Sequence, residues 1–227
     1  MLINEDLSRP VIVHASTLDW VPSPAPGVDR RMLYRVGGEV ARATSIVRYA
    51  PGSAFPRHVH SGGEEILVLE GTFQDEHGDY PAGSYFRNPP GTSHVPASAD
   101  GCTIFVRLWQ FREGDDVQIV RKPGESATQN RRLPDGGSVL ELFDDGHESV
   151  AIAEWAVNAE LDVANPAGLE FLVLSGDAMF DSELAVQNSW GRLPAGTDLR
   201  ATAGGNGLRM WLKHGPLEHP DVLPMPA

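Results

Sequence analysis

The sequence predicts an all-β chain that contains two copies of one sandwich or barrel unit. Its 227 residues include 24 Gly and 18 Pro, a composition typical of chains with many turns and short strands. Short apolar runs such as residues 66–69 recur at intervals of about ten residues and end at Gly or Pro. Residues 65–71 reappear as residues 170–176, an offset of 105 that also relates Gly91 to Gly196. We therefore expect a duplicated unit of roughly 100 residues.

The elements follow from apolar runs and from the turn residues between them. Turns are predicted at Pro51-Gly52, at residues 75–79 and 81–83, and at residues 89–91. The strands predicted around them are residues 11–14, 44–49, 66–69, 72–74, 84–87 and 103–109. The expected boundaries are residues 1–112 for the first unit, 113–135 for a connecting segment and 136–227 for the second unit.

Charge and composition exclude several function classes. The formal net charge of −13 repels phosphate backbones and anionic lipid heads, so neither nucleic acid nor a membrane is an expected partner. The single cysteine, Cys102, excludes an intramolecular disulfide and any Cys-rich metal site. Residues 1–6 lack the basic start and apolar core of a secretory signal, and we expect a cytoplasmic protein.

A candidate metal site is carried by His58, His60, Glu64 and His94. Side chains two residues apart on a strand share a face, so His58 and His60 would point together into the interior. The Gly62-Gly63 step allows a sharp turn that returns Glu64 to the same cavity. Three imidazoles and one carboxylate suit a borderline divalent metal.

These residues resemble the two signature motifs of the cupin superfamily. The first motif runs from Gly52 through the His58-Val59-His60 triplet to Gly71, and the second from Gly83 to His94. The tract at residues 62–80 is similar to ChrR-type cupins, which include the cupin domain of ChrR anti-sigma factors and bicupins of the acetylacetone-dioxygenase type. The resemblance implies two tandem cupin jelly-roll barrels, with His58, His60, Glu64 and His94 holding one metal ion in the first.

Two departures limit what the resemblance implies. Ser98 stands where the family pattern has Asn, outside the expected ligands. The anti-sigma half with its own zinc site has no counterpart here, so binding of a sigma factor is not expected. Glu65 would be the acidic ligand if the register shifted by one residue, although strand alternation and the family spacing favour Glu64.

The second copy lacks the ligands of the first. The offset of 105 relates the four candidate ligands to Val163, Asn165, Leu169 and Leu199, which bind metal weakly or not at all. We expect this barrel to bind no metal and to have a structural role.

Two functions are compatible with these residues. The first is a metal-dependent oxidoreductase of the dioxygenase type that acts on a small dicarbonyl or ketone-type substrate. The alternative is a non-catalytic, zinc-binding, ChrR-like cupin with a sensory, regulatory or structural role. Zn and Fe(II) are the expected metals, Ni and Mn fit the same ligands, and a homodimer is expected. The expected pocket residues are Phe55, Phe73, Tyr85, Phe86 and Phe105.

Overall fold

The chain is folded almost entirely from β-strands. A computed structural model describes residues 1–124, 130–132 and 137–225, and in these residues the one helical segment is a short 3-10 turn at Ala15–Thr17. No helix in the described ranges is long and apolar enough to span a membrane. Chains rich in Gly and Pro form short strands because these residues end extended segments and provide the turns between them.

The strands are numbered in chain order. In the first half of the chain they are β1 Leu2–Ile3, β2 Val11–His14, β3 Val21–Pro22, β4 Val28–Gly37, β5 Ala41–Tyr49, β6 Ser53–Ala54, β7 His58–Val59, β8 Glu64–Asp75, β9 Gly78–Pro81, β10 Tyr85–Asn88, β11 Ser93–His94, β12 Ala97–Ser98, β13 Cys102–Leu108 and β14 Ile119–Arg121. In the second half they are β15 Asn130–Arg132, β16 Ser138–Asp144, β17 Ser149–Trp155, β18 Glu160–Val163, β19 Leu169–Phe180, β20 Glu183–Val186, β21 Ser189–Leu193 and β22 Leu199–His214.

The first unit is built on an antiparallel sheet in the order β1-β4-β5-β13-β8-β10-β14, with β9 and β12 paired to the far half of β8. Its strands alternate between two faces, and the inner face packs into an apolar core. Buried members of this core include Val47, Ile66, Val68, Ile104 and Val106.

The second unit repeats this arrangement in the order β15-β16-β17-β22-β19-β21-β2 around its own core. The prediction of an all-β chain with two tandem jelly-roll units is confirmed, although each hydrogen-bonded path is open rather than a closed ring.

The structure divides the chain differently from the predicted boundaries in two places. Asp6–Thr17 belongs to the second unit, because β2 pairs with β21, and residues 218–225 belong to the first, where Val222 bridges Arg112. The predicted connecting segment 113–135 contains β14, which pairs with β10, and β15, which pairs with β16. The predicted connecting segment also includes residues 125–129 and 133–135, which lie outside the described residues. The same holds for residue 136, the predicted start of the second unit.

The internal repeat is visible in the longest strands. β8 and β19 each have 12 residues, and both their ends are related by the same offset as the sequence repeat. Each strand contains a glycine with a left-handed backbone, Gly71 with φ 69° and Gly176 with φ 76°. A Cβ atom on Gly71 would lie 2.2 Å from the carbonyl oxygen of Gly101, and one on Gly176 would lie 2.0 Å from that of Gly207. Only glycine permits this close passage of neighbouring strands.

The change Gly71→Ala should therefore destabilise the first unit by about 3 kcal/mol, because a left-handed alanine costs about 1–2 kcal/mol and the backbone contact adds to that cost. Urea denaturation measures the loss. The matched control is Gly114→Ala, where φ is 75° but the new Cβ meets nothing within 4 Å. Its expected loss is about 1 kcal/mol. Equal losses in both variants would show that the close passage at Gly71 is not limiting.

Candidate metal centre

Four side chains predicted as metal ligands come together at one end of the first unit. Strand β7 pairs with β11 so that His58 lies opposite His94, which joins two histidines 36 positions apart in the chain. His60 follows β7, and a turn through Gly62 and Gly63 leads to Glu64, the first residue of β8. Strand pairing therefore brings the two halves of the ligand set together.

The donor atoms of these four residues converge. One ligand atom from each of His58, His60, Glu64 and His94 lies within 4.8 Å of the others. The Oε2 atom of Glu64 is 3.3 Å from Nε2 of His60 and 3.3 Å from Nε2 of His94. His60, Glu64 and His94 are buried, whereas His58 is partly exposed.

The outer ring nitrogens of the three histidines are held by partners around the cluster. The Nδ1 atom of His58 is 3.0 Å from the carbonyl oxygen of Pro56, that of His60 is 2.9 Å from the Thr92 hydroxyl, and that of His94 is 3.1 Å from the Asp75 carboxylate. This arrangement turns each Nε2 towards the common centre, as outer partners do around metal-bound histidines.

The inner nitrogens show that the residues fit a cation. The Nε2 atoms of His60 and His94 are buried and make no hydrogen bond of good geometry; Oε2 of Glu64, 3.3 Å from each, is the acceptor beside them. Buried polar atoms without a partner are rare, and a metal ion is one of the partners that accounts for them. Three imidazoles and a carboxylate are also the donor set that zinc, iron(II), nickel and manganese accept.

Electrostatics in the metal-free cluster follow from the same contacts. Burial acts to lower the pKa of His94, but the Asp75 hydrogen bond and the Glu64 carboxylate outweigh it and raise that pKa to about 9. Burial lowers the pKa of His60. Burial acts to raise the pKa of Glu64, yet His94 and His60 outweigh it, so the pKa falls and the carboxylate is ionised at neutral pH.

Glu65, the alternative ligand, lies on the opposite face of β8. Its carboxylate is buried, accepts a hydrogen bond of 2.6 Å from the Tyr85 hydroxyl and pairs with Arg107 at 2.6 Å. The alternation of side chains along β8 therefore assigns Glu64 to the ligand cluster and Glu65 to an ion pair.

Two glycines and a tryptophan shape the loop between His60 and Glu64. A Cβ atom on Gly62 would lie 2.0 Å from the Trp109 ring, and one on Gly63 would lie 2.3 Å from the Phe111 ring. Trp109 itself has φ 58°, unusual for a bulky residue, and its amide donates to the carbonyl of Gly63 at 3.2 Å. Sequence patterns did not predict Trp109 as a site residue. The glycine pair between His60 and Glu64 is the sequence feature that could have indicated a bulky side chain close to this loop.

A cavity of about 500 Å³ opens beside the ligands. His58, His60 and Glu64 line it, and Phe55 is the one residue of the five expected aromatic residues in its described lining. Apolar residues from the strands and loops supply most of the remaining wall, among them Val47, Ile104, Val106, Leu108 and Pro96.

The other four aromatic residues expected in the pocket lie elsewhere. Phe73 and Phe86 are in the apolar core, where the Phe73 ring is 5.8 Å from the ring of His94. Tyr85 faces Glu65, and Phe105 alternates with the inward-facing Ile104. Sequence patterns could not assign these faces, because all four residues are apolar enough for either side of a sheet buried on both faces.

The equivalent positions in the second unit are occupied differently. Leu169 and Leu199 are fully buried in its core. Asn165 is buried and donates its amide to the carbonyl oxygens of Leu193, Pro194 and Thr197. In the second unit, Asn165 therefore fixes a loop by hydrogen bonds, and Leu169 and Leu199 fill the apolar core.

Known proteins resemble this chain in sequence and fold. A model of the ChrR cupin-like domain matches residues 8–112. A "putative dioxygenase" from Nostoc punctiforme superposes with a TM-score of 0.71 at 14% identity, covering 97% of this chain and 87% of its own. A bacterial pirin from Escherichia coli in complex with nickel(II) has a TM-score of 0.62 at 16% identity, covering 92% of this chain and 99% of its own.

A third similar structure is an oxalate decarboxylase formate complex from Lactobacillus farciminis, with a TM-score of 0.63 at 14% identity, covering 91% of this chain and 86% of its own. At these identities the similarity shows a shared fold. A comparison with curated proteins finds no significant match.

Replacing both His58 and His60 with Ala should remove the metal, because two of the four donors disappear. Elemental analysis of protein purified without a metal-affinity column should fall from about one divalent ion per chain to nearly none. The exposed residue His147 in the second unit provides the control, and His147→Ala should keep the full content. Unchanged metal in the double variant would refute the ligand assignment.

Metal binding should release a proton from His94. With a pKa of about 9, His94 is protonated in the metal-free protein at pH 7.5, and the metal must displace that proton. Folding raises the pKa of His94, so the His94 proton contributes to the free energy of unfolding of the protein without metal. This contribution is complete below about pH 6.5 and is lost as the pH rises through about 9.

Calorimetry of zinc binding in two buffers with different ionisation enthalpies measures this release. Asp75→Asn removes the strongest cause of the raised pKa and should reduce the number of protons released. Identical proton release in both proteins would contradict the role given to Asp75.

Proposed function

We propose that this chain, whose residues 8–112 match the ChrR cupin-like domain and whose fold is shared with cupins, is a metal-dependent enzyme of the dioxygenase type that acts on a small dicarbonyl or ketone-type substrate in its first jelly roll. The observation that carries this proposal is the cavity of about 500 Å³ beside the ligand cluster. That volume is in the range of small-molecule sites, and its walls are largely apolar.

The cavity meets the ligand cluster on one side. His58, His60 and Glu64 line it, whereas His94 lies behind them, 2% exposed. A substrate in the cavity would therefore reach an ion held by these residues from the side of His58. Catalytic metal sites need such an open side, and structural sites do not.

The metal would contribute Lewis acidity and, as Fe(II), redox chemistry with oxygen. The protein's own residues have other tasks. Glu64 offsets part of the charge of the ion, and Thr92 and Asp75 orient two of the imidazoles. The walls formed by Val47, Phe55 and other apolar side chains exclude water from the reacting groups.

The proposal also includes the identity of the metal, the location of the protein and its partners. Zn and Fe(II) are the proposed ions, with Ni or Mn as substitutes, since these ligands accept all four. We also propose a cytoplasmic homodimer that binds a small molecule, without nucleic acid, membrane or sigma-factor partners. Within the described ranges β14 and β15 each end the strand order of their sheet, which supports dimerisation because the outer strands of a sheet pair readily.

A non-catalytic zinc-binding cupin is the second candidate. Two observations favour it: four protein donors can complete a tetrahedral zinc site, and residues 8–112 match the ChrR cupin-like model. In that case zinc would stabilise the fold or transmit a signal, and no substrate would be converted.

Oxygen consumption distinguishes the two functions. Protein loaded with Fe(II), Zn, Ni or Mn should be screened with β-diketones and hydroxyaryl ketones in an oxygen electrode. We expect the Fe(II) form to consume oxygen in step with loss of substrate, and replacing His58 and His60 with Ala to reduce the rate about a hundredfold or more. His147→Ala should retain the rate. If no metal form consumes oxygen while zinc raises the unfolding temperature, the second candidate is supported instead.

A further inference from the structure

Tyr49 is a polar side chain in an apolar part of the cavity wall. It is the last residue of β5, is 5% exposed and lines the same cavity as His58, His60 and Glu64. Val47 lies two residues before it on the same face of the strand, and Ile104 and Val106 on β13 continue the apolar wall. A phenol at this position is costly unless its hydroxyl is used.

The Tyr49 hydroxyl makes no hydrogen bond to the described residues, and it is not among their fully buried polar atoms that lack a partner, so it keeps some accessible surface. The hydroxyl of buried Tyr85, by contrast, donates to Glu65. An accessible hydroxyl forms hydrogen bonds with whatever fills the space beside it, be it water or a bound molecule. Since Tyr49 lines the cavity, its partner is whatever occupies that space.

The ring of Tyr49 is held in place by two phenylalanines that also contact the ligand histidines. Its centroid is 6.0 Å from the Phe55 ring and 5.8 Å from the Phe73 ring, both in edge contacts. Phe55 is 6.0 Å from the ring of His58, and Phe73 is 5.8 Å from that of His94. This aromatic chain ties the position of the phenol to that of the ligand cluster, which is how a substrate contact is preorganised.

From this arrangement we infer that Tyr49 binds substrate by donating a hydrogen bond to an oxygen atom of a small carbonyl compound in the cavity. The inference rests on the proposed function and adds to it the residue that holds a carbonyl oxygen of the substrate against a largely apolar wall. A donor fixed in a largely apolar stretch of wall favours such an acceptor, because a ligand without it leaves the phenol unpaired. Burial, then the charge of Glu64, raises the pKa of Tyr49 well above its usual value, so the phenol stays a donor at neutral pH.

Binding of acetylacetone to the zinc-loaded protein tests the inference, because zinc excludes turnover. Calorimetry should show that Tyr49→Phe weakens binding about tenfold or more, the effect of losing a hydrogen bond to an oxygen with anionic character. Tyr85→Phe is the matched control, since it removes a buried phenol outside the cavity lining; its Kd should stay within about twofold of the unaltered protein.

The outcomes separate this inference from the proposed function. Equal Kd values for Tyr49→Phe and the unaltered protein would overturn the inference and leave the proposed function intact. Failure of the unaltered zinc protein to bind either acetylacetone or a hydroxyaryl ketone at about 10 mM, a concentration at which even weak site binding is measurable, would overturn both. Loss of metal from Tyr49→Phe in elemental analysis would overturn the inference too, because it would make Tyr49 a support for the ion. With Fe(II), the inference further requires a raised KM in Tyr49→Phe.

Discussion

The buried carboxylate of Glu64, facing buried imidazole nitrogens, is the constraint on which the candidate site depends. Taking an ionised carboxylate out of water costs several kcal/mol unless positive charge or hydrogen bonds compensate. Here the compensation comes from His60 and His94, whose Nε2 atoms lie 3.3 Å away. A divalent ion would compensate all of these groups together. The hydrogen bonds at the Nδ1 atoms of the histidines and the tight turn at Gly62 and Gly63 hold the metal-binding atoms close to one another.

The strand arrangement shared by the two units does not depend on the candidate metal site. On the face of β8 opposite Glu64, Glu65 accepts a hydrogen bond from Tyr85 at 2.6 Å; at the matching positions of the second unit, Glu170 accepts one from Trp190 at 2.7 Å. A buried acid with an aromatic donor therefore recurs on the same face of both long strands. The other face differs completely, since Leu169 in the second core stands where the first unit has Glu64. One strand geometry thus supports either a polar cluster or an apolar core.

The surroundings of the cluster favour chemistry on a bound molecule over a purely structural ion. A structural site is enclosed by its ligands, whereas three of these four ligands face a cavity with apolar walls. One strained residue lines that cavity: Trp109 adopts φ 58° over the glycine turn. Strained backbone persists where surrounding structure holds it, and functional sites are common places for it. Tyr49 adds a fixed donor to the same wall.

The sequence alone determined the strand content, the duplication and the four candidate ligands, because strand alternation, turn residues and donor spacing are local properties that one chain segment carries. It also favoured Glu64 over Glu65, since neighbouring residues on a strand face opposite sides and the spacing of the cupin motif matches Glu64. The tertiary structure decided the rest: which aromatic residues reach the cavity, the contact of Trp109 with Gly62, and the assignment of residues 6–17 to the second unit and of residues 218–225 to the first. These depend on which distant strands pair. An apolar residue in a sheet buried on both sides has no local pattern that tells one face from the other.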